Sequence, residues 1–564
     1  MYKALADVWQ ELTSEAAPFH VTEIEVRGAP MRVYKDAPPS LRELWLASRA
    51  HGANEYLVYD EDRWTYDEAH RDVAAIANWL VEQGIGPGDR VAISMRNYPE
   101  WLLIYWACVS TGIAAAGLNA WWVEDELDYG LKDCEPKALF CDQQRLDRFN
   151  NINANFPDMK IVGIRIDNTK DYVTPFSDVL AIGGSLPEVV IDPDDDACIF
   201  YTSGTTGRPK GAQLTHRGCV HNVLNLAFWG TAMATVAARV NNVQPNAEAA
   251  PPASALVTTP LFHVTANNCL AQSLTMGGGK LVHMYKWDAG EALKIIEREK
   301  ITNLSGVPMM SRELINHPDF DKFDTSSLLS VGGGGAQLQP DLVEKIDSTI
   351  KTAKPGTGYG MTETCGIITS ISGDFFIDKP ESAGPAMPTF EAKTVDADGN
   401  DLPQGQAGEL WVRGAPVIKG YLNSEAATAE SITDGWLHTG DVAKIDEHGF
   451  IYIVDRVKDM VLRGGENIYC SEVEMVLFEM DQVSECSVFG VPDDRLGEEV
   501  GVAIFRAPES NLSAEQVREY CAKAMAKHKI PRYIWLMDEA LPRNASGKFL
   551  KRELKDTLNI EDAN

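Results

Sequence analysis

The chain has 564 residues, 45% of them hydrophobic, and sets 51 lysines and arginines against 82 aspartates and glutamates, a formal net charge of −31. That length exceeds one ordinary core and predicts two or more domains, while the charge repels a nucleic-acid backbone or an anionic membrane, so any phosphate ligand has to be held locally. Ten cysteines show neither a CxxC pair nor a zinc-like Cys/His spacing, and residues 1–15 hold Asp7, Glu11 and Glu15 without a basic patch before an apolar run; reduced thiols, a cytoplasmic location and no secretory signal are expected.

The first forty residues carry no functional signal. Leu57-Val58-Tyr59 reads as a strand, and Thr65-Tyr66-Asp67-Glu68 as a capping box opening a helix through Val73, Ile76, Ala77 and Leu80, which Gly84 stops. Val91-Ala92-Ile93 follows as a strand, and this alternation predicts a layered α/β region. Residues 101–123 carry no charge and are long enough for a bilayer, but Ser110, Thr111, Gly112, Gly117 and Asn119 break them into a helix and a short strand. No integral membrane span is expected.

Ala197-Cys198-Ile199-Phe200-Tyr201 reads as a buried strand feeding Thr202-Ser203-Gly204-Thr205-Thr206-Gly207-Arg208-Pro209-Lys210-Gly211. Glycines let backbone N–H groups turn inward, hydroxyls add donors and Lys210 adds a cation, the requirements for wrapping a polyphosphate. The Walker spacing fails, because Gly211 follows Lys210 where a hydroxyl residue is required. Ala212-Gln213-Leu214 reads as a returning strand, so a hairpin flap is expected. Residues 241–254, rich in Asn, Ala and Pro, read as a surface loop. From Arg456 onward short strands and helices, with a capping box at Ser471-Glu472-Val473-Glu474, fit a small separate domain.

Residues 201–211 resemble the signature loop of the adenylate-forming superfamily, which includes acyl- and aryl-CoA synthetases, firefly-type luciferases and the adenylation domains of nonribosomal peptide synthetases. The resemblance runs from about residue 40 to 556 through further motifs in the family's order: PLFHVTA at 260–266, GGGGA at 332–336, GYGMTET at 358–364, GWLHTGD at 435–441, DRVKD at 455–459, RGGENI at 463–468 and PRNASGK at 542–548. It implies an α/β fold with a large layered N-terminal domain over residues 1–455 and a small mobile α+β domain over 456–564.

By the same resemblance, Thr202, Ser203, Gly204, Thr205, Thr206, Gly207 and Lys210 cradle the ATP phosphates, and His263 gates the acyl pocket. Gly334, Gly335 and Ala336 line the adenine and acyl sites together with Gly358, Tyr359, Gly360 and Met361; Thr362 lies near the α-phosphate and Glu363 holds Mg²⁺. Asp441 and Arg456 take the ribose, Lys458 is the hinge, Gly464, Gly465 and Glu466 line the CoA tunnel, and Lys548 completes the adenylation site. Taken alone, His263 also reads as a hydrogen-bonded core histidine, and 455–459 as a solvated surface turn.

The implied activity is an AMP-forming acyl-CoA synthetase using ATP, Mg²⁺, CoA and a small-molecule carboxylic acid; a homodimer is compatible with it. The alternatives are loading of a separate acyl-carrier protein, a luciferase-like oxygenase, and an ATP-binding sensor without turnover. Acetate-specific relatives block the pocket with a tryptophan where this chain has Gly360. Space beside Gly360 is therefore expected, and with it a medium- or long-chain fatty acid or another hydrophobic acid, aromatic ones included.

Overall fold

The computed structural model describes residues 1–167, 170–202, 208–242, 253–464, 466–507, 510–544 and 549–564, with nothing stated for the side chain of Asn467. Two eight-stranded sheets dominate. The first runs Gly420–Tyr421, Lys210–Thr215, Asp196–Thr202, Ala114–Gly117, Arg90–Ser94, Ala138–Asp142, Lys160–Ile164 and Val173–Pro175. It is parallel from Asp196–Thr202 onward, with Lys210–Thr215 antiparallel to both neighbours. The second runs from Gly366–Ser372 and Lys354–Met361 through Ser330–Gly333, Asn303–Gly306, Ser254–Val257, Lys280–His283 and Glu55–Tyr59 to Asp62–Thr65.

Residues 101–123 form the helix Pro99–Val109 and the strand Ala114–Gly117, both wholly buried. The helix packs against strands of both sheets, in one apolar core with Leu57, Ile93 and Phe200. From Trp101 to Val109 the sequence is uncharged, as a helix covered on all sides requires, and the one charge before it, Glu100, is paired with Arg165 at 2.9 Å. Among the described residues one helix is long and apolar enough to span a bilayer, His216–Val240. It contacts the helix Tyr2–Thr13, the strand Gly366–Ser372 and the π-helical segment Thr265–Ala271.

The Thr65 capping box forms as expected: Thr65 Oγ1 accepts from Glu68 N at 3.2 Å, and the Glu68 carboxylate accepts from Thr65 N at 2.9 Å. Gly84 follows the helix Tyr66–Glu82 at φ +72°, in the left-handed region that favours glycine. The other expected capping box fails. Helix Cys470–Phe478 begins one residue before Ser471; the Asp455 carboxylate accepts from Cys470 N, and the Ser471 hydroxyl donates to Val454 O. Glu474 is instead paired with Lys551 at 3.0 Å. Tertiary partners have displaced the local motif.

A six-stranded sheet, including Trp436–Ile445 and Phe450–Arg456, carries the chain to residue 456. Beyond it a five-stranded sheet built on Val483–Asp493 and Gly497–Arg506 has its own core of Val473, Leu477, Val502, Ile504, Val517 and Cys521. Of the 241–254 segment, residues 243–252 lie outside the described residues.

Candidate active site

The expected hairpin is present: Thr202 stands opposite Lys210 in antiparallel register. Ser203, Gly204, Thr205, Thr206 and Gly207 lie outside the described residues. On the near side Tyr201 OH donates to Asp133 at 2.7 Å. On the far side Tyr129 OH donates to Pro209 O at 3.0 Å, and its ring lies 4.9 Å from the Arg208 guanidinium. The two limbs of the flap are thus anchored on one helix, Glu124–Cys134.

Lys210 Nζ sits 5.1 Å from the Tyr421 ring, and Tyr421 OH donates to Glu363 Oε1 at 2.8 Å. Burial, with the Glu363 carboxylate adding to it, pushes the Tyr421 phenol far up, so it remains a donor. Tyr421 thereby joins the cation of the flap to the carboxylate of the GYGMTET segment. No motif marks it in the sequence, because it reaches the site from a two-residue strand more than 200 positions past Lys210.

Thr362 and Glu363 begin a 3₁₀ turn, Thr362–Thr364, with Glu363 only 7% exposed and its backbone O accepting from Ile418 N at 3.0 Å. Tyr359 OH donates to Asp441 Oδ2 at 2.6 Å, and Arg456 Nε donates to Asp441 Oδ1 at 2.9 Å. Asp441 is 4% exposed. Its carboxylate is the main cause holding the Arg456 guanidinium above its ordinary value, and Glu363 contributes to the same effect. Tyr359, Glu363, Asp441 and Arg456, scattered over almost a hundred positions, therefore form one electrostatic neighbourhood.

The glycine run divides. A Cβ on Gly332 or Gly333 would lie 1.8 Å from Gly356 O or 1.6 Å from Gly306 O, so these two serve strand packing. Gly334 and Gly335 have more room, the nearest atoms being 3.4 and 4.0 Å away, and Ala336 is exposed. Gly358 lies on the same strand as Tyr359, Gly360 and Met361. The space expected beside Gly360 is not there: a Cβ would lie 1.9 Å from Gly366 O and 2.7 Å from Ile367 Cα, at a register shift between the paired strands. Close backbone approach explains this glycine, and pocket size does not follow from it.

His263 heads the π-helical segment Thr265–Ala271, its ring 4.7 Å from that of Phe262. The preceding residues are bolted by Asn97, whose amide donates to Thr259 O at 2.9 Å and accepts from Leu261 N at 3.1 Å. Beyond this segment, buried Trp229 and Ile367 cluster with part-buried Leu226, Cys269, Tyr359 and Met361. Trp229 Nε1 donates to Ser372 Oγ at 3.1 Å, fixing the indole in this apolar wall. Trp229 and Leu226 come from the long helix His216–Val240, whose sequence gives no hint of a binding role.

Lys458 is exposed in a turn where Asp459 N and Met460 N both donate to Arg456 O. Gly464, at φ +60°, and Glu466 belong to the hairpin of Val461–Arg463 with Glu466–Ile468, and Gly464 N donates to Leu496 O at 2.7 Å. Gly465 and Lys548 lie outside the described residues. Among the described residues no group of three His, Cys, Asp or Glu side chains could hold a metal. Glu363 alone suits an ion bound mainly by phosphates and water.

Residues 44–422 match the AMP-binding enzyme family and residues 472–548 match the AMP-binding enzyme C-terminal domain. A feruloyl-CoA synthase from an Amycolatopsis species is 33% identical over 87% of this chain and 93% of that protein. A 2-succinylbenzoate–CoA ligase from Bacillus pumilus is 31% identical over 92% of this chain and 99% of its own length. Among solved structures, ATP-bound MatB from Rhodopseudomonas palustris superposes with a TM-score of 0.79 at 30% identity, covering 91% of this chain and 98% of MatB.

Proposed function

Since this chain belongs to the AMP-binding enzyme family and is an AMP-forming acid–CoA ligase, we propose that its acid is hydrophobic and carries an aromatic ring, and that the residues assembled around Glu363 and Asp441 activate it. The observation that carries the substrate reading is the apolar cluster of Trp229, Ile367, Leu226, Cys269 and Met361, which packs together with Tyr359. The names of the feruloyl-CoA synthase and the 2-succinylbenzoate–CoA ligase support a ring over a plain alkyl chain. A medium- or long-chain fatty acid is the second reading, because the same apolar cluster suits it.

A carboxylate is a poor acyl donor because its leaving group would be oxide. Its oxygen attacks the α-phosphorus of ATP, the bond to the β-phosphate oxygen breaks, and pyrophosphate leaves. Negative charge gathers on the phosphates, where Lys210 and Lys548 stabilise it by fixed charge and the hydroxyls of the flap donate hydrogen bonds. Glu363 is the carboxylate that would hold Mg²⁺, whose charge adds to theirs. Asp441 and Arg456 orient the ribose. The CoA thiol then attacks the adenylate carbonyl and AMP leaves. Turning of residues 456–564 about Lys458 exchanges Lys548 for the Gly464–Glu466 hairpin between these steps.

The test is a panel of acids with ATP and CoA, read as pyrophosphate release. Ferulate, 4-coumarate and benzoate are expected to exceed octanoate, and all to exceed acetate. Octanoate in first place selects the fatty-acid reading, and acetate in first place rejects an apolar pocket.

A further inference from the structure

In a chain of net charge −31, Arg96 is a half-buried guanidinium with no carboxylate at ion-pair distance among the described residues. Several part-buried arginines reach one, as Arg165 does Glu100 at 2.9 Å, Arg217 Asp194 at 2.7 Å and Arg463 Glu499 at 2.6 Å, whereas Arg90 and Arg148 resemble Arg96 in reaching none among the described residues, and donate to the carbonyls of Cys134 and Ala120. Asp142 accepts from the Arg96 backbone N, at 3.1 Å, and is already paired with Arg145 at 3.0 Å. Burial pulls the Arg96 guanidinium below its ordinary value, the mark of a cation whose solvation has been removed without full replacement.

What surrounds the group is aromatic. Its Cζ lies 4.8 Å from the Trp121 ring and 4.7 Å from the Tyr285 ring, and one Nη donates to Tyr285 O at 2.8 Å. With ring faces occupied, the remaining N–H groups on the edge of the fork suit an oxyanion. Trp121 is 39% exposed, which opens the place to solvent. The Trp121 ring also meets Phe262 edge-on at 5.9 Å, and Phe262 adjoins His263. Asn97, next to Arg96, ties both to the segment leading into His263. A cation thus stands at the outer end of a row of rings that leads to the predicted gate.

We propose that Arg96, held between Trp121 and Tyr285, binds a phosphate of the nucleotide end of CoA while the thiol arm reaches inward past Phe262. The inference rests on CoA as the acceptor and His263 as the gate of the acyl pocket. A second carboxylate on the acid is the other oxyanion this guanidinium could take, and the experiment separates the two.

The full-length Arg96→Gln enzyme is compared with the wild type using CoA, and using pantetheine, which has the thiol arm without the nucleotide or its phosphates. The KM for CoA is expected to rise about tenfold, the loss of one charge-assisted hydrogen bond, and the ratio of CoA to pantetheine KM to rise with it; Arg96→Lys recovers part of the loss. An unaltered CoA KM, equal rises for both thiols, or a rise confined to the acid overturns the site. A wild-type enzyme that releases pyrophosphate but forms no thioester with CoA refutes the acceptor as well.

Discussion

The Tyr359 hydroxyl and the Arg456 guanidinium grip opposite oxygens of one buried carboxylate, Asp441, at 2.6 and 2.9 Å. That arrangement fixes the carboxylate before any ribose arrives. Asp441→Asn keeps the shape and removes the charge. A hydrogen bond to a charged group contributes about 1.5–3 kcal/mol, so the KM for ATP is expected to rise roughly tenfold to a hundredfold, with kcat changing less. The measurement is pyrophosphate release against ATP concentration, and an unchanged KM would reject the ribose role.

Features set within one contiguous stretch are legible in the sequence, and the order of the motifs adds the grouping of Tyr359 and Arg456 around Asp441. The Thr65–Glu68 capping box and the hairpin from Thr202 to Lys210 depend on residues a few positions apart, and both form as expected. Tyr421 and Trp229 were missed because their partners, Glu363 and Ser372, lie 58 and 143 positions away. Local reasoning erred where a distant group competed for the same atoms: Asp455 takes the amide that opens the helix Cys470–Phe478, and the Gly366 carbonyl fills the space beside Gly360.

Lys548 is the cation expected to act only in the first half-reaction. The chain on either side of it is anchored, Arg543 to Glu485 at 2.9 Å and Lys551 to Glu474 at 3.0 Å. Lys548→Ala should therefore slow adenylate formation by on the order of 10²–10³ fold, as loss of one electrostatic stabiliser does, and spare thioester formation from supplied acyl-adenylate. Single-turnover assays of each half-reaction decide it; equal damage to both would refute the assignment.

Rotation about Lys458 would have to break contacts that cross it. Asp455 accepts from Cys470 N, and the Ser471 hydroxyl donates to Val454 O. Proline at 458 restricts φ at the pivot, so Lys458→Pro should disfavour one orientation. The expected result is a change of about tenfold or more in the ratio of the two half-reaction rates. Unaltered rates in both would place the hinge elsewhere.

Four histidines are buried: burial lowers His70, His221 and His283 to about 4 and His216 to about 3. In the unfolded chain histidine titrates near 6.5. Between those values the unfolded state binds more protons than the folded one, so stability present at pH 7 is lost as pH falls through 6.5 toward 4. His221 shows why. Its Nδ1 donates to Arg217 O at 2.8 Å, while its buried Nε2 has no hydrogen-bond partner among the described residues, so a second proton would be stranded. His221→Asn retains a donor near Nδ1 and cannot titrate. Urea denaturation at pH 7 and pH 5 should show a shallower loss of stability in the variant, the difference being on the order of 1–2 kcal/mol. Parallel pH profiles for the two proteins would mean that His221 is not held neutral in the fold.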